Sequence, residues 1–153
     1  MSILTVDPGM NTAFVVWKNN ILSETGIIKV SNKKDLTQEE KLVSLWSQFD
    51  IIVRRRGITK CYIEGVEVWM GSDKSIVSAS TGKLMLLSYL IGSYCHICYE
   101  REIEFQIIKP TEWKGQMTKK VTKLRVERAL ETTFSNSHVI DAVGIGLSVQ
   151  GRL

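Results

Sequence analysis

Between Ile3 and Val30 the apolar residues fall in short β-branched stretches, and from Leu42 onward they recur at helical spacing. This switch of period is the strongest constraint on the fold. A chain that opens with strands, inserts a helix and then returns to a strand must build a crossover connection and a mixed sheet. Residues 3–6 read as a buried strand that stops at the turn signal Asp7-Pro8-Gly9. Residues 13–17 and 21–30 read as two further strands joined at Asn19-Asn20, residues that tolerate the positive φ of a tight hairpin. The opening is therefore an antiparallel meander.

After a polar linker at 31–35, Leu42, Leu45, Trp46, Phe49 and Ile52 mark an amphipathic helix, with Thr37 and Glu40 spaced as a capping box and Gly57 near its end. Residues 60–63 predict a fourth strand that delivers Glu64 at its carboxyl end. Residues 75–99 predict a long helix, dotted with small residues and apolar on more than one face, with one side for the sheet and one for a second subunit. A fifth strand over 103–108, a basic helix from 118 or 119 to 134 and a last helix over 137–149, begun by Ser135-Asn136-Ser137, complete the order βββαβαβαα. The fold class predicted is α/β, with a five-stranded mixed sheet flanked by helices, in a single domain over 1–153.

No apolar run reaches the ~18–20 residues of a membrane span; the longest candidate, 84–98, is broken by Ser88, Ser93 and His96. The N-terminal segment lacks the pattern of a secretory signal, so a soluble, cytoplasmic protein is expected. Cys61, Cys95 and Cys98 are an odd number of thiols in such a compartment, where no structural disulfide is expected. Cys95-His96-Ile97-Cys98 invites a zinc reading, but a tetrahedral site needs a second ligand pair that the sequence does not supply, and small apolar packing groups explain the thiols better.

The formal charge of +4 is unevenly spread: residues 109–128 carry seven basic side chains against Glu112 and Glu127. So local an excess suits a phosphate-binding surface, though a solvated lysine-rich helix face has the same composition.

Charged residues inside apolar segments need a reason. Asp7 ends the first predicted strand, Glu64 ends the fourth, and Asp141 interrupts Val139-Ile140-Asp141-Ala142-Val143. Should the first and fourth strands be neighbours, Asp7 and Glu64 stand side by side; His138, three residues before Asp141, shares its helix face. Singly, each carboxylate has an ordinary explanation: a turn former, a solvated strand end, a helix-dipole partner. Together they point to a divalent cation held by hard oxygen ligands, Mg²⁺ or Mn²⁺, and to two-ion phosphodiester chemistry. Glu67 is a rival to Glu64, which is preferred because it follows the strand directly.

The three segments Ile3-Leu4-Thr5-Val6-Asp7-Pro8-Gly9, Tyr62-Ile63-Glu64-Gly65 and His138-Val139-Ile140-Asp141-Ala142 resemble, in order and spacing, the catalytic motifs of the RuvC-like Holliday junction resolvases, within the ribonuclease H-like superfamily. The resemblance covers nearly the whole chain. It implies catalytic and metal-binding roles for Asp7, Glu64, His138 and Asp141, with His138 where Asp is usual, and Mg²⁺ as cofactor with Mn²⁺ as a substitute. It further implies a homodimer that cuts four-way or other branched DNA. Phe14 stands near where the family commonly has a glycine, and the chain is short for a cellular member; both departures fit a divergent copy such as one carried by a bacteriophage, acting in the host cytoplasm.

The same resemblance makes Trp69 a candidate for the side chain that wedges into the junction crossover, with Lys74 beyond it as a phosphate contact. Lys109, Lys114, Lys119, Lys120 and Lys123 are candidate DNA contacts. Lys120 is further expected near the scissile phosphate, where a cation offsets charge developing in the transition state, and Lys119 suits that role equally. Trp113 is expected to pack beneath its loop. Ile76, Leu84, Leu87 and Ile91 are the expected dimer stripe. Rival readings are a ribonuclease H-like or flap nuclease of relaxed specificity, an actin-like ATPase, for which the chain lacks a duplicated domain, and an inactive junction-binding protein, which the carboxylates disfavour.

Overall fold

The computed structural model describes residues 1–30, 34–67 and 82–153. Strands β1 (Ser2–Asp7), β2 (Asn11–Lys18) and β3 (Ile21–Lys29) form the expected antiparallel meander. Asn19 and Asn20 turn the second hairpin with φ of 51° and 64°, the left-handed pair whose twist matches that of the flanking strands. Helix α1 (Gln38–Arg56) begins at the predicted capping box. The Thr37 hydroxyl accepts from the Glu40 N–H, and the Glu40 carboxylate accepts from the Thr37 N–H at 2.7 Å. Gly57, at φ 59°, ends the helix in the left-handed conformation that glycine adopts at least cost.

The chain then crosses back as β4 (Lys60–Glu64), parallel to β1. Helix α2 (Lys83–Glu100) leads to β5 (Glu104–Ile108), parallel to β4, and the sheet order is β3-β2-β1-β4-β5. Residues 75–81 of the expected long helix lie outside the described residues. The last part of the chain holds α3 (Pro110–Trp113), α4 (Lys119–Leu130) and α5 (Ser137–Val149).

Two boundaries differ from expectation. The single turn α3, opened by Pro110, is additional. Helix α4 stops at Leu130 rather than 134 because Glu131 takes φ 50°, and both the Thr132 and Phe134 amides donate back to Glu127. That reversal lets Phe134 pack against the core.

The period-two alternation of β1 divides the core. Leu4 and Val6 face one side with Cys61 and Ile63 of β4, covered by Leu45 and Phe49 of α1 and by Leu90, Tyr94 and Cys98 of α2. Ile3, with Ala13, Val15 and Trp17 of β2, faces the other side beneath Val126 of α4 and the apolar α5. Thr5 shares this second face, accepting from the Trp17 indole at 3.0 Å and donating to the Ala142 carbonyl at 2.7 Å. Alternation then sends Asp7 and Glu64 to the α5 face as well.

The expected dimer stripe is largely a core stripe. Ile91 is buried, Leu87 packs against the α1 side of the core and Leu84 is half-buried, while Ile76 lies outside the described residues. Packing of α1 against α2 supplies the cover that the sheet alone could not. The exposed residues of α2 include Met85, Tyr89, Gly92, His96 and Tyr99, with Lys83, Ser88 and Glu100. Among the described residues no helix is long and apolar enough to cross a membrane.

Candidate active site

Parallel pairing of β1 with β4 places Val6 opposite Ile63. The next residue on each strand is a carboxylate, so Asp7 and Glu64 emerge together at the carboxyl end of the sheet. Helix α5 supplies the rest. The Asn136 side chain caps it by accepting from the His138 and Val139 amides at 2.9 and 3.3 Å, and this fixes His138 in the first turn. The His138 Nδ1 lies 2.7 Å from Asp7 Oδ2. Asp141 is one turn further along, beyond the first turn of the helix, so its presence in an apolar helix is not a dipole effect.

Asp7 is 7% exposed. Burial, followed by the negative charge of Glu64 and Asp141, pushes its carboxyl up to about 9. Asp141 is raised chiefly by burial and by Glu64, with Lys114, Lys119 and His138 acting in the opposite direction. The cluster is thus short of positive charge. Lys114 partly supplies it: its Nζ lies 3.4 Å from Glu64 Oε1 and 3.8 Å from Asp141 Oδ1, and 4.6 Å above the Trp113 ring. As the side chains stand, no group of three His, Cys, Asp or Glu among the described residues converges tightly enough to hold a metal ion. The ammonium of Lys114 stands between two of the carboxylates.

Trp113 has a role that the sequence did not disclose. Its indole N–H donates to Glu64 Oε1 at 2.9 Å, so it orients the carboxylate as well as packing beneath the loop. Gly144 of α5 makes room for it, since a Cβ there would collide with the Trp113 ring. A glycine in an apolar helix near Asp141, taken with a tryptophan beside the basic segment, is the sequence signal for this contact. Glu67, the rival to Glu64, is otherwise engaged. Its carboxylate accepts from the Thr111 amide at 3.2 Å and from the Thr111 hydroxyl at 2.8 Å, which docks α3 against the end of β4.

Among the remaining candidates, Lys119, Lys120 and Lys123 line a cavity of about 300 Å³ together with Ser137, Ile140 and Asp141, between α4 and the start of α5. Lys119 is the lysine of α4 whose charge acts on Asp141. Lys123 also lies 3.7 Å from Glu127. Lys109 is exposed immediately before α3, and its amide donates to Glu112 at 2.8 Å. Trp69 and Lys74 lie outside the described residues. Cys61 and Cys98 are buried in the core on the other face of the sheet.

The fold is similar to that of several solved structures. The chain is similar to Thermus thermophilus RuvC in complex with Holliday junction substrate, with a TM-score of 0.75 at 16% identity, covering 97% of this chain and 91% of that one. A second Thermus thermophilus RuvC structure gives a TM-score of 0.73 at 15% identity, covering 99% and 98%. The fowlpox virus resolvase in complex with Holliday junction DNA gives 0.63 at 15% identity, covering 99% of both chains. No protein-family model matches the chain, and comparison with curated proteins gives no sequence match.

Proposed function

We propose that the protein is a divalent-metal-dependent endonuclease that resolves four-way DNA junctions as a homodimer. The observation that carries this reading is the emergence of Asp7 and Glu64 side by side at the end of the parallel β1–β4 pair, facing Asp141 and His138 on α5. The similarity of the whole chain to junction-bound RuvC and fowlpox resolvase supports the substrate class.

The donor set suits Mg²⁺ or Mn²⁺: three carboxylates and an imidazole, with Asp7 pushed upward by burial and by the neighbouring Glu64 and Asp141. A divalent cation held by Asp7, Glu64 and Asp141 would supply the charge that activates a water and stabilises the departing 3′ oxygen. Asp7 would give up its proton to solvent on becoming a ligand, with His138 Nδ1 at 2.7 Å beside it. Trp113 holds Glu64 in orientation. With a cation held by the carboxylates, Lys114, which stands against Glu64 and Asp141, would be available to meet a phosphate. Lys119, Lys120 and Lys123 line the cavity beside Asp141 along which a DNA strand's phosphates would pass.

Two strands of opposite polarity must be cut in a junction, which a two-fold dimer accomplishes by symmetry. The exposed face of α2 suits such pairing. Met85, Tyr89, Gly92, His96 and Tyr99 alternate at spacings of four and three, the period of a helix–helix seam. At its middle, a Cβ on Gly92 would meet nothing within 4 Å among the described residues outside its own helix turn, so the backbone there suits close approach. Trp46, Tyr89, Gly92 and His96 help to line a surface cavity of about 530 Å³ into which a partner's side chains would fit.

The test is incubation of the protein with a labelled four-way junction, a matching linear duplex and an RNA/DNA hybrid in Mg²⁺. Paired, symmetric incision of the junction alone is expected, leaving 5′-phosphate and 3′-hydroxyl ends. Preferential cutting of the hybrid, or equal cutting of flaps and junctions, would replace this reading with a ribonuclease H-like or flap nuclease.

A further inference from the structure

The turn that follows Asp7 is held from the far side of the sheet. The buried Thr12 hydroxyl donates its single proton to the Gly9 carbonyl at 2.6 Å, and its oxygen accepts from the Gly9 N–H at 3.2 Å. The Tyr94 hydroxyl of α2 lies 2.9 Å from the same oxygen. With the Thr12 proton already committed, the phenol must be the donor, and every polar group of the trio is satisfied. The Tyr94 ring is buried and stacked on Phe49 of α1, with centroids 4.1 Å apart. It is therefore a fixed post and not a mobile side chain. Burial pushes the phenol well above its ordinary range, so it remains a donor throughout the working pH range.

We infer that Tyr94 is a positioning residue for catalysis, which, through Thr12, holds the Pro8-Gly9 turn and so aims the Asp7 carboxylate at Glu64 and Asp141. This rests on the proposed nuclease function for its catalytic consequence, but not for the hydrogen-bonded chain itself. It makes α2 a bridge between two regions: its buried face fixes the turn after Asp7, and its exposed face carries the seam Met85, Tyr89, Gly92, His96 and Tyr99. Loss of one neutral hydrogen bond changes an equilibrium by about fivefold, whereas a small misplacement of a catalytic group can cost on the order of 100-fold in rate. The expected signature is therefore a rate effect larger than the stability effect.

Tyr94→Phe keeps the ring and its stack on Phe49 and removes only the hydroxyl. Single-turnover cleavage of a four-way junction in Mg²⁺ should slow by roughly 10-fold, with junction affinity within about twofold. In the metal-free protein the Gly9 amide should exchange with solvent faster than in the unmodified protein. Thr12→Val should reproduce both effects and add little to Tyr94→Phe, while Thr12→Ser, which keeps the hydroxyl, should retain the original rate and exchange. Cleavage by Tyr94→Phe within twofold of the original rate, or a Gly9 amide whose exchange is unchanged, would overturn the assignment. If the unmodified protein does not cut junctions, it is the nuclease reading that fails; the Gly9 exchange comparison still decides whether Tyr94 holds the turn.

Discussion

The indole N–H of Trp113 donates to Glu64 Oε1 across 2.9 Å, in space that Gly144 leaves open on α5. Trp113→Phe retains most of the packing and removes the donor, so cleavage should fall by about 10-fold while stability falls by roughly 1 kcal/mol. Gly144→Ala should displace the ring and cost about 1–3 kcal/mol through overpacking. Thermal unfolding alongside single-turnover rates separates the two. Equal rates for Trp113→Phe and the unmodified protein would mean that the indole only fills space.

Asp7 binds its proton more tightly in the folded protein than a free carboxyl does, with a value pushed up to about 9 from 3.8. The folded state therefore holds more protons than the unfolded state between those limits, and this contribution to stability is full below the lower one and lost as pH rises through the upper one. Metal-free protein should thus lose stability from about pH 4 to pH 9, and Asp7→Asn should flatten that slope. Mg²⁺ should raise the unfolding temperature more at pH 8 than at pH 5.5, with proton release on binding. Denaturant titrations across pH check this, and an identical slope in Asp7→Asn would contradict it.

Lys114 offsets the negative charge of Glu64 and Asp141 at 3.4 and 3.8 Å. Lys114→Met should destabilise the metal-free protein by roughly 1–3 kcal/mol at pH 8, because two partly buried carboxylates lose their nearest cation. Saturating Mg²⁺ should restore much of that stability without restoring the cleavage rate. Restoration of both would show that Lys114 serves only the metal-free state.

Gly92 is exposed, and a Cβ there meets nothing within 4 Å among the described residues. Gly92→Glu should therefore leave the subunit folded, with improved helix propensity, while placing like charges together at the two-fold seam. Sedimentation should show a monomer, and paired incision should give way to single nicks. A dimer that persists in Gly92→Glu would place the interface elsewhere.

The positions of Asp7 and Glu64 were legible because each ends a short apolar strand, and the parallel crossover brings those strands together. Asn19-Asn20 and the Thr37–Glu40 pair were equally readable, since their chemistry is local. Contacts that depend on tertiary packing were not. Nothing local distinguishes Lys114, whose ammonium enters the carboxylate cluster, from the exposed Lys120, and the Trp113–Glu64 bond joins residues far apart in sequence. The α2 stripe was misread for a related reason. Leu87 and Ile91 are apolar because they pack into the core beside α1, whereas the exposed face of α2 includes Gly92 and His96, which no hydrophobic count selects.

His138 sits half-exposed against Asp7, where a neutral imidazole can accept a proton or bind a cation and a protonated one repels the cation. His138→Asp, which keeps a cation ligand there, should keep cleavage in Mg²⁺ while His138→Phe should lose most of it, and equal cleavage by His138→Phe and the unmodified protein would make His138 a packing residue.

The most direct test of the central claim compares the unmodified protein with Asp7→Asn, Glu64→Gln and Asp141→Asn on one labelled four-way junction in Mg²⁺, following incision and binding in the same samples. The account predicts paired cuts by the unmodified protein, none by any of the three variants, and junction binding retained by all. Full cleavage by any one variant, Asp141→Asn above all, would remove that carboxylate from the catalytic centre and contradict the site described here.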